Sequence, residues 1–331
     1  MKEFGIHNFV DNLVRFANRI YTTYLWDELR LKTISWVRLK RIGVYGSVAN
    51  NNMVIAMDDK YVSFGGLTDR LRGIISLYAW CKQNDKEFKI YFVHPFCLSD
   101  YLVSNKYDWL VKNPKSVYHG IPILIDTPSS SENVIGFQKN MFDKYLNLSG
   151  KQVNCYTNAD IIKDRTMFSL LFNELFKPSA SLQGLIDKYS LVLGKDYVSV
   201  SFRYGGALGD FKDSIKVDLD ETERQRLIEA CLSALEDIRK LCHKRILVAT
   251  DSPMFMEIVR QKEFVTVLPG EIAHSAHSSS NASHMKTFLD FMMIANASKI
   301  YLVRGKYLYN SGFPKKASMI NNTPFEEFFI R

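Results

Sequence analysis

Apolar runs alternate with amphipathic stretches most plainly in the second half of the chain. "YVSVSFR" (197–203) is β-branched and aromatic, the composition of a strand. A Gly/Asp-rich loop follows, then "DETERQRLIEACLSALEDIRKLCHK" (220–244), where Leu227, Ala230, Leu232, Leu235, Ile238 and Leu241 recur at helical spacing. Asp220, Glu221 and Glu223 suit the positive end of that helix. "RILVAT" (245–250) reads as a buried strand, and the next helix opens with Ser252 as cap and Pro253 in its first turn. "FVTVLP" (264–269) and "KIYLV" (299–303) are further strands, "HMKTFLDFMMIANAS" (284–298) a helix, and "NSGFPKKASMI" (310–320) a capped helix start. This alternation predicts a parallel, doubly wound sheet with right-handed crossovers.

The first half carries the same rhythm less cleanly. Strands are predicted at "YVSF" (61–64), "EFKIYFVH" (87–94), "IPILID" (121–126) and "QVNCYT" (152–157), with helices at 67–84, 134–146 and 160–176. The segment 175–196 holds the Pro and Gly expected of a crossing between domains. A chain of 331 residues is too long for one ordinary core and fits two domains of about 150 residues. The expected fold is therefore α/β, with two Rossmann-like domains, 1–180 and 181–331, whose parallel sheets face a central cleft.

Composition narrows the class. Hydrophobic residues make up 47% of the chain, enough apolar surface to offset its conformational entropy, so order throughout is expected. No stretch approaches the roughly 18 uninterrupted apolar residues of a membrane span. Glu3, His7, Asp11 and Arg15 interrupt the N-terminus where an export signal needs an apolar run. The five cysteines are widely spread without CxxC, which suits reduced thiols in a cytoplasmic protein. The net charge of +8 is scattered over 30–41, 69–73, 243–245 and 314–316, which argues against nucleic acid. Phosphate-bearing small molecules or an anionic membrane surface fit it at least as well.

In open parallel sheets, ligands bind beyond the carboxyl ends of the strands. After 197–203 come Arg203, Tyr204, Gly205, Gly206, Gly209 and Asp210. After 245–250 come Asp251 and Ser252 at a helix start, and the strand at 299–303 leads to Ser311 and Gly312 at another. An arginine fork beside amide-rich helix starts is equipment for a diphosphate. In the first half "FGGLTDRLRG" (64–73) sets Gly65 and Gly66 at a strand-to-helix turn. Asp69 and Arg70 lie nearest that turn, and one of them is expected to face donor or acceptor. GxGxxG after a strand and GxxxxGK[ST] are both missing, so dinucleotide and P-loop readings lose support. His274, His277 and His284 share a polar loop without an apolar scaffold or acidic partners, and no metal is expected there.

In their order and spacing, "FGGLTDRLRG", "VSVSFRYGG", "ATDS", "FLDF" and "YNSGFPKKA" resemble the GDP-fucose fucosyltransferases, the superfamily of α1,6-, nodulation and protein O-fucosyltransferases. The resemblance covers about residues 61–320 and rests on short motifs. It implies a GT-B architecture and inverting, metal-independent transfer. GDP-fucose is then the donor substrate, held mainly by the C-terminal domain, with no cofactor. Against the family's His-x-Arg motif Arg203 matches and Ser201 replaces the histidine. Arg203, with Tyr204 and Gly205 beside it, is implied to grip the β-phosphate leaving group, a contact that strengthens in the transition state. Thr250, Asp251 and Ser252 match the next motif and are implied to meet the guanosine; Asp251 is otherwise a helix cap. Asp290 matches the family aspartate, and Ser311, Gly312 and Phe313 match the element that contacts the diphosphate. Asp290 lies on an apolar helix face with Phe288, Phe291 and Met292, where a charge requires a partner. Gly65, Gly66, Asp69 and Arg70 complete the set from the first domain. Inverting transfer needs a base for the acceptor hydroxyl. Asp210 and Asp213 follow Arg203, and the Gly-rich loop favours Asp210.

The N-terminal segment 25–41 mixes Trp26 and Trp36 with Arg30, Lys32, Arg38, Lys40 and Arg41. Such a face packs on the first domain or lies on an anionic membrane, which would place the enzyme at the inner face of the cell membrane. The expected function is transfer of fucose to a glycan or lipid-linked glycan, as in bacterial surface glycans, with no nucleic-acid partner. The alternatives are transfer from another nucleotide sugar, or a non-catalytic nucleotide- or glycan-binding protein on a transferase scaffold, to which Ser201 lends weight.

Overall fold

The strand that organises the first half is "MVIAMD", a near-continuous apolar run of the kind buried on both faces of a parallel sheet. In the computed structural model, residues 52–330 are described apart from 60, 61, 63, 127–133, 148–150, 195, 212–218 and 271–279. The basic segment 25–41, Asp213, His274 and His277 fall outside the described residues. The chain divides into two units. The first comprises residues up to Cys97 with Lys106–Lys163, and the second Leu98–Asn105 with Asp164–Arg331.

In the first unit, β1 (Met53–Asp58), β2 (Glu87–Phe92), β4 (Ile121–Ile125) and β5 (Val153–Thr157) form a parallel sheet in the order β2-β1-β5-β4. Helices α1 (Leu67–Gln83) and α2 (Val134–Leu146) accompany it. The chain moves outward from β1 to β2 and then to the other side, so its switch point lies between β1 and β5. α1 buries Leu67, Leu71, Ile74, Ile75 and Tyr78. It also lies close to the end of β5, because a Cβ on Gly73 would stand 2.1 Å from the Thr157 carbonyl oxygen. Of the stretch predicted as a strand at 61–64, the described residues are Val62, which makes an isolated antiparallel bridge to Asp59, and Phe64, which lies in no strand. The ladder belongs to β1, which lacks polar–apolar alternation and so escapes a search for half-buried strands.

The longer segment of the second unit opens with α3 (Arg165–Leu175), capped by Asp164, and α4 (Ala180–Leu193), capped by Ser179. Between them β6 (Phe176–Pro178) pairs antiparallel with β3 (Leu102–Ser104). Where Pro and Gly predict a crossing at 175–196, Pro178 instead ends the short strand and Gly194, at φ 79°, ends α4. α3 belongs to this unit because Arg165 ties it to the last part of the chain, donating to Ser318 Oγ (3.1 Å), the Ser318 carbonyl (3.1 Å) and the Thr323 carbonyl.

The second sheet contains β7 (Tyr197–Phe202), β8 (Arg245–Thr250), β9 (Val265–Thr266), β10 (Lys299–Arg304) and β11 (Phe325–Phe329). Its order is β11-β10-β7-β8-β9, all parallel. Helices α5 (Glu221–Cys242), α6 (Pro253–Arg260), α7 (Asn281–Ala295) and α8 (Gly312–Ile320) alternate with these strands. Val198, Val200 and Phe202 pack into one core with Leu227, Leu235, Ile238, Phe255 and Val259 from α5 and α6. α7 begins at Asn281, ahead of the expected 284, because Ser280 accepts from the Ser283 N–H as its cap. β11 was not expected; it is an edge strand with two glutamates in five residues. The chain leaves β7 toward β8 and later returns to its other side at β10, so the second switch point lies between β7 and β10. All five cysteines are free. No described helix is long and apolar enough to cross a membrane.

Candidate functional site

Polar groups gather where β7, β8 and β10 end. After Phe202 the backbone enters a tight loop, with Gly205 at φ 60°, Gly206 at φ 91° and Gly209 at φ 78°. These left-handed angles are strained for residues with a Cβ, which accounts for the glycines in "YGGALGD". Arg203 enters that loop half-buried. Its guanidinium pairs with Asp251 (Nη1 to Oδ2, 3.2 Å) and lies over the Phe211 ring, 5.2 Å from the centroid. The Arg203 carbonyl accepts from the Tyr309 N–H at 2.7 Å, which joins the β7 end to the segment after β10.

Asp251 follows β8 and is buried. Its Oδ1 accepts from the Tyr204 N–H and its Oδ2 from the Gly205 N–H, each at 2.8 Å. Burial holds its carboxyl above the usual carboxylate range, while Arg203 and the two amides oppose that rise. Asp251 is therefore not a helix cap. That role falls to Ser252, whose Oγ accepts from the Phe255 N–H at 3.0 Å. Thr250 Oγ1 accepts from the Ser252 N–H at 3.1 Å. Tyr204 is buried edge-on against Phe255.

Asp210 closes the loop over the start of α6. Its Oδ2 accepts from Ser252 Oγ (2.6 Å) and the Met254 N–H (2.8 Å). Its Oδ1 is shielded from solvent and makes no hydrogen bond. Ser311 caps α8, accepting from the Phe313 N–H at 3.3 Å, with Gly312 exposed beside it. Phe313 packs on Phe291 of α7 at 5.0 Å. Asp290, one residue earlier, has its partner on its own helix: Lys286 Nζ lies 2.6 and 2.5 Å from its two oxygens. Burial pushes the Asp290 carboxyl up and Lys286 opposes it. Ser201, standing where a histidine was sought, is buried with no hydrogen-bond partner on its Oγ.

Arg203, Tyr204 and Gly205 are thus bonded to Asp251, and Asp210 and Thr250 to Ser252, the two sets meeting at the 251–252 peptide. Tyr309 links Arg203 to the Ser311–Phe313 helix start. Sequence reasoning missed Phe211, Tyr309 and Lys286. The Lys286 partnership was legible, since a lysine four residues before an aspartate lies on the same helix face. His284 is buried at the start of α7, near the Tyr101 ring. Among the described residues no group of three or more His, Cys, Asp or Glu could hold a metal ion.

The first-unit residues are held by contacts within that unit. Gly66 is the extended N-cap of α1, and Asp69 accepts from its N–H at 3.2 Å. Asp69 also pairs with Arg72 at 3.1 Å. A Cβ on Gly65 would stand 2.2 Å from the Asp69 carboxylate. Arg70 is buried, and its Nη1 donates to both oxygens of Asp58 at 2.7 Å.

No protein-family model matches the chain, and no curated protein matches it. Solved structures do. NodZ α-1,6-fucosyltransferase soaked with GDP-fucose is similar at a TM-score of 0.55 and 12% identity, covering 84% of this chain and 95% of that one. The Bradyrhizobium NodZ structure is similar at 0.56 and 12%, covering 84% and 94%. FUT1 of Arabidopsis thaliana in complex with GDP is similar at 0.55 and 12%, covering 89% and 74%. At this identity the likeness is one of fold, and the fold is GT-B-like, made of two Rossmann-like units.

Proposed function

We propose that this chain is an inverting, metal-independent glycosyltransferase that moves fucose from GDP-fucose to a hydroxyl of a glycan or lipid-linked glycan. The observation that carries the reading is Arg203 at the second switch point, paired with Asp251 immediately before the Ser252 helix start and linked through Tyr309 to that of Ser311. A planar cation beside two helix N-termini suits a nucleoside diphosphate whose charge grows as the glycosidic bond breaks. The likeness of fold to structures holding GDP and GDP-fucose supports guanine over other bases. Transfer in the cytoplasm, at the inner face of the membrane if 25–41 lies on lipid, belongs to the same proposal.

Thermal shift with GDP, UDP, CDP and dTDP tests it. GDP alone is expected to raise the melting temperature, by an amount equivalent to about 2.7 kcal/mol at a hundred times its dissociation constant. Stabilisation by a different base would redirect the reading to another nucleotide sugar, and silence toward all four would end it.

Asp210 is proposed as the base through Oδ1, which makes no hydrogen bond and is shielded here, so the role requires the Gly-rich loop to uncover it when the acceptor binds. Asp210→Asn is expected to abolish fucosyl transfer while GDP still binds, with stability changed by about 1 kcal/mol through the altered α6 cap. Wild-type turnover in that variant would leave Asp210 with the capping role only.

A further inference from the structure

Asp251 was expected to meet the guanosine, yet its contacts turn inward. One buried carboxylate bonds three successive residues: the Arg203 guanidinium, the Tyr204 N–H and the Gly205 N–H. Its exposure of 5% leaves little surface for a ligand. The two amides it accepts from are those just before the chain turns left-handed at Gly205 and Gly206. The same group thereby fixes where the loop leaves the sheet and where the arginine fork points. Phe211 covers the guanidinium and Tyr309 pins the Arg203 backbone, so the carboxylate completes a cage around one cation.

We propose that Asp251 is a positioning residue that orients Arg203 toward a β-phosphate rather than a contact to the nucleoside, an inference that rests on the donor reading above. The chemistry requires a carboxylate. Asparagine would turn an N–H₂ group toward one of two backbone donors and would remove the charge facing Arg203.

GMP, which lacks the phosphate assigned to Arg203, separates the possibilities. In calorimetric titrations, Asp251→Asn is expected to weaken GDP by roughly tenfold and to leave GMP within about threefold, since only the charged-group contact is disturbed. Adding Asp251→Asn to Arg203→Ala should cost less than about a further threefold in GDP affinity, because the two residues act as one unit. Equal weakening of GMP and GDP, or additive losses, would overturn the assignment. Amide exchange gives a readout that needs no nucleotide: Tyr204 and Gly205 should exchange at least roughly tenfold faster in Asp251→Asn, with the exchange of α5 unchanged. If wild-type protein binds neither nucleotide, the donor reading falls, while unaltered exchange at 204 and 205 would sink the positioning role by itself.

Discussion

Replacing Arg203 by alanine is expected to reduce turnover of GDP-fucose on the order of a hundredfold or more, with the fold intact. Hydrolysis of the donor to GDP and fucose serves as the assay, because it needs no acceptor. The magnitude follows from timing. A β-phosphate gains charge as the bond to fucose breaks, so a fork aimed at it acts more strongly in the transition state than in the ground state. Arg203→Lys should recover little, since an ammonium cannot reproduce two parallel N–H donors or lie flat over Phe211. Stability should change modestly, because the Asp251 carboxylate keeps its two amide donors when the guanidinium is removed. Donor turnover within threefold of wild type in Arg203→Ala, with GDP still bound, would remove Arg203 from the chemistry.

The second sheet was more legible than the first, for a physical reason. α5, α6 and α8 announce themselves by caps that act locally: Asp220, Ser252 and Ser311 each bond an N–H two or three residues on. Such signals survive without knowledge of the tertiary structure. β1 has no such marker. Its apolar run is selected by burial between neighbouring strands, and sequence periodicity of two cannot reveal it. Missing β1 also hid Asp58, and with it the partner of Arg70.

Side-chain types in the site were legible, but their directions were not. The pattern around Arg203 and Asp251 announces a charged cluster at strand ends, yet only register brings Phe202 opposite Thr250 and lets Asp251 reach the residues that follow β7. Asp290 shows the same limit. An acid on an apolar helix face demands a partner, and the sequence offers two kinds, Lys286 by its i, i+4 spacing and a ligand group by the motif resemblance. Distance decides for Lys286, at 2.5 and 2.6 Å.

Arg70→Met should produce the largest loss of stability, and the loss should depend on pH in a defined direction. The Arg70–Asp58 pair is nearly inaccessible, with side-chain exposures of 1% and 6%. Arg70 also donates to the carbonyls of His94 (3.0 Å) and Gly65 (3.2 Å), so it joins β1, the segment after β2 and the α1 turn. Removing one partner of a buried pair leaves an uncompensated charge, typically at a cost of about 3–5 kcal/mol. Burial already pushes the Asp58 carboxyl up to about 7, even with Arg70 drawing it down. A carboxyl held above its unfolded value favours folding when protonated, and stability is lost as pH rises from the unfolded value toward the folded one. In wild type that decline ends near pH 7. Without Arg70 the folded value climbs further, and the decline continues into the alkaline range. Denaturation midpoints of variant and wild type should therefore lie closest at pH 5 and spread apart between pH 7 and 9. Asp58→Leu combined with Arg70→Met should recover much of the loss, because a matched apolar pair leaves no buried charge. A gap that is independent of pH, or no recovery in the double variant, would show that Arg70 stabilises the unit through its carbonyl contacts and not through Asp58.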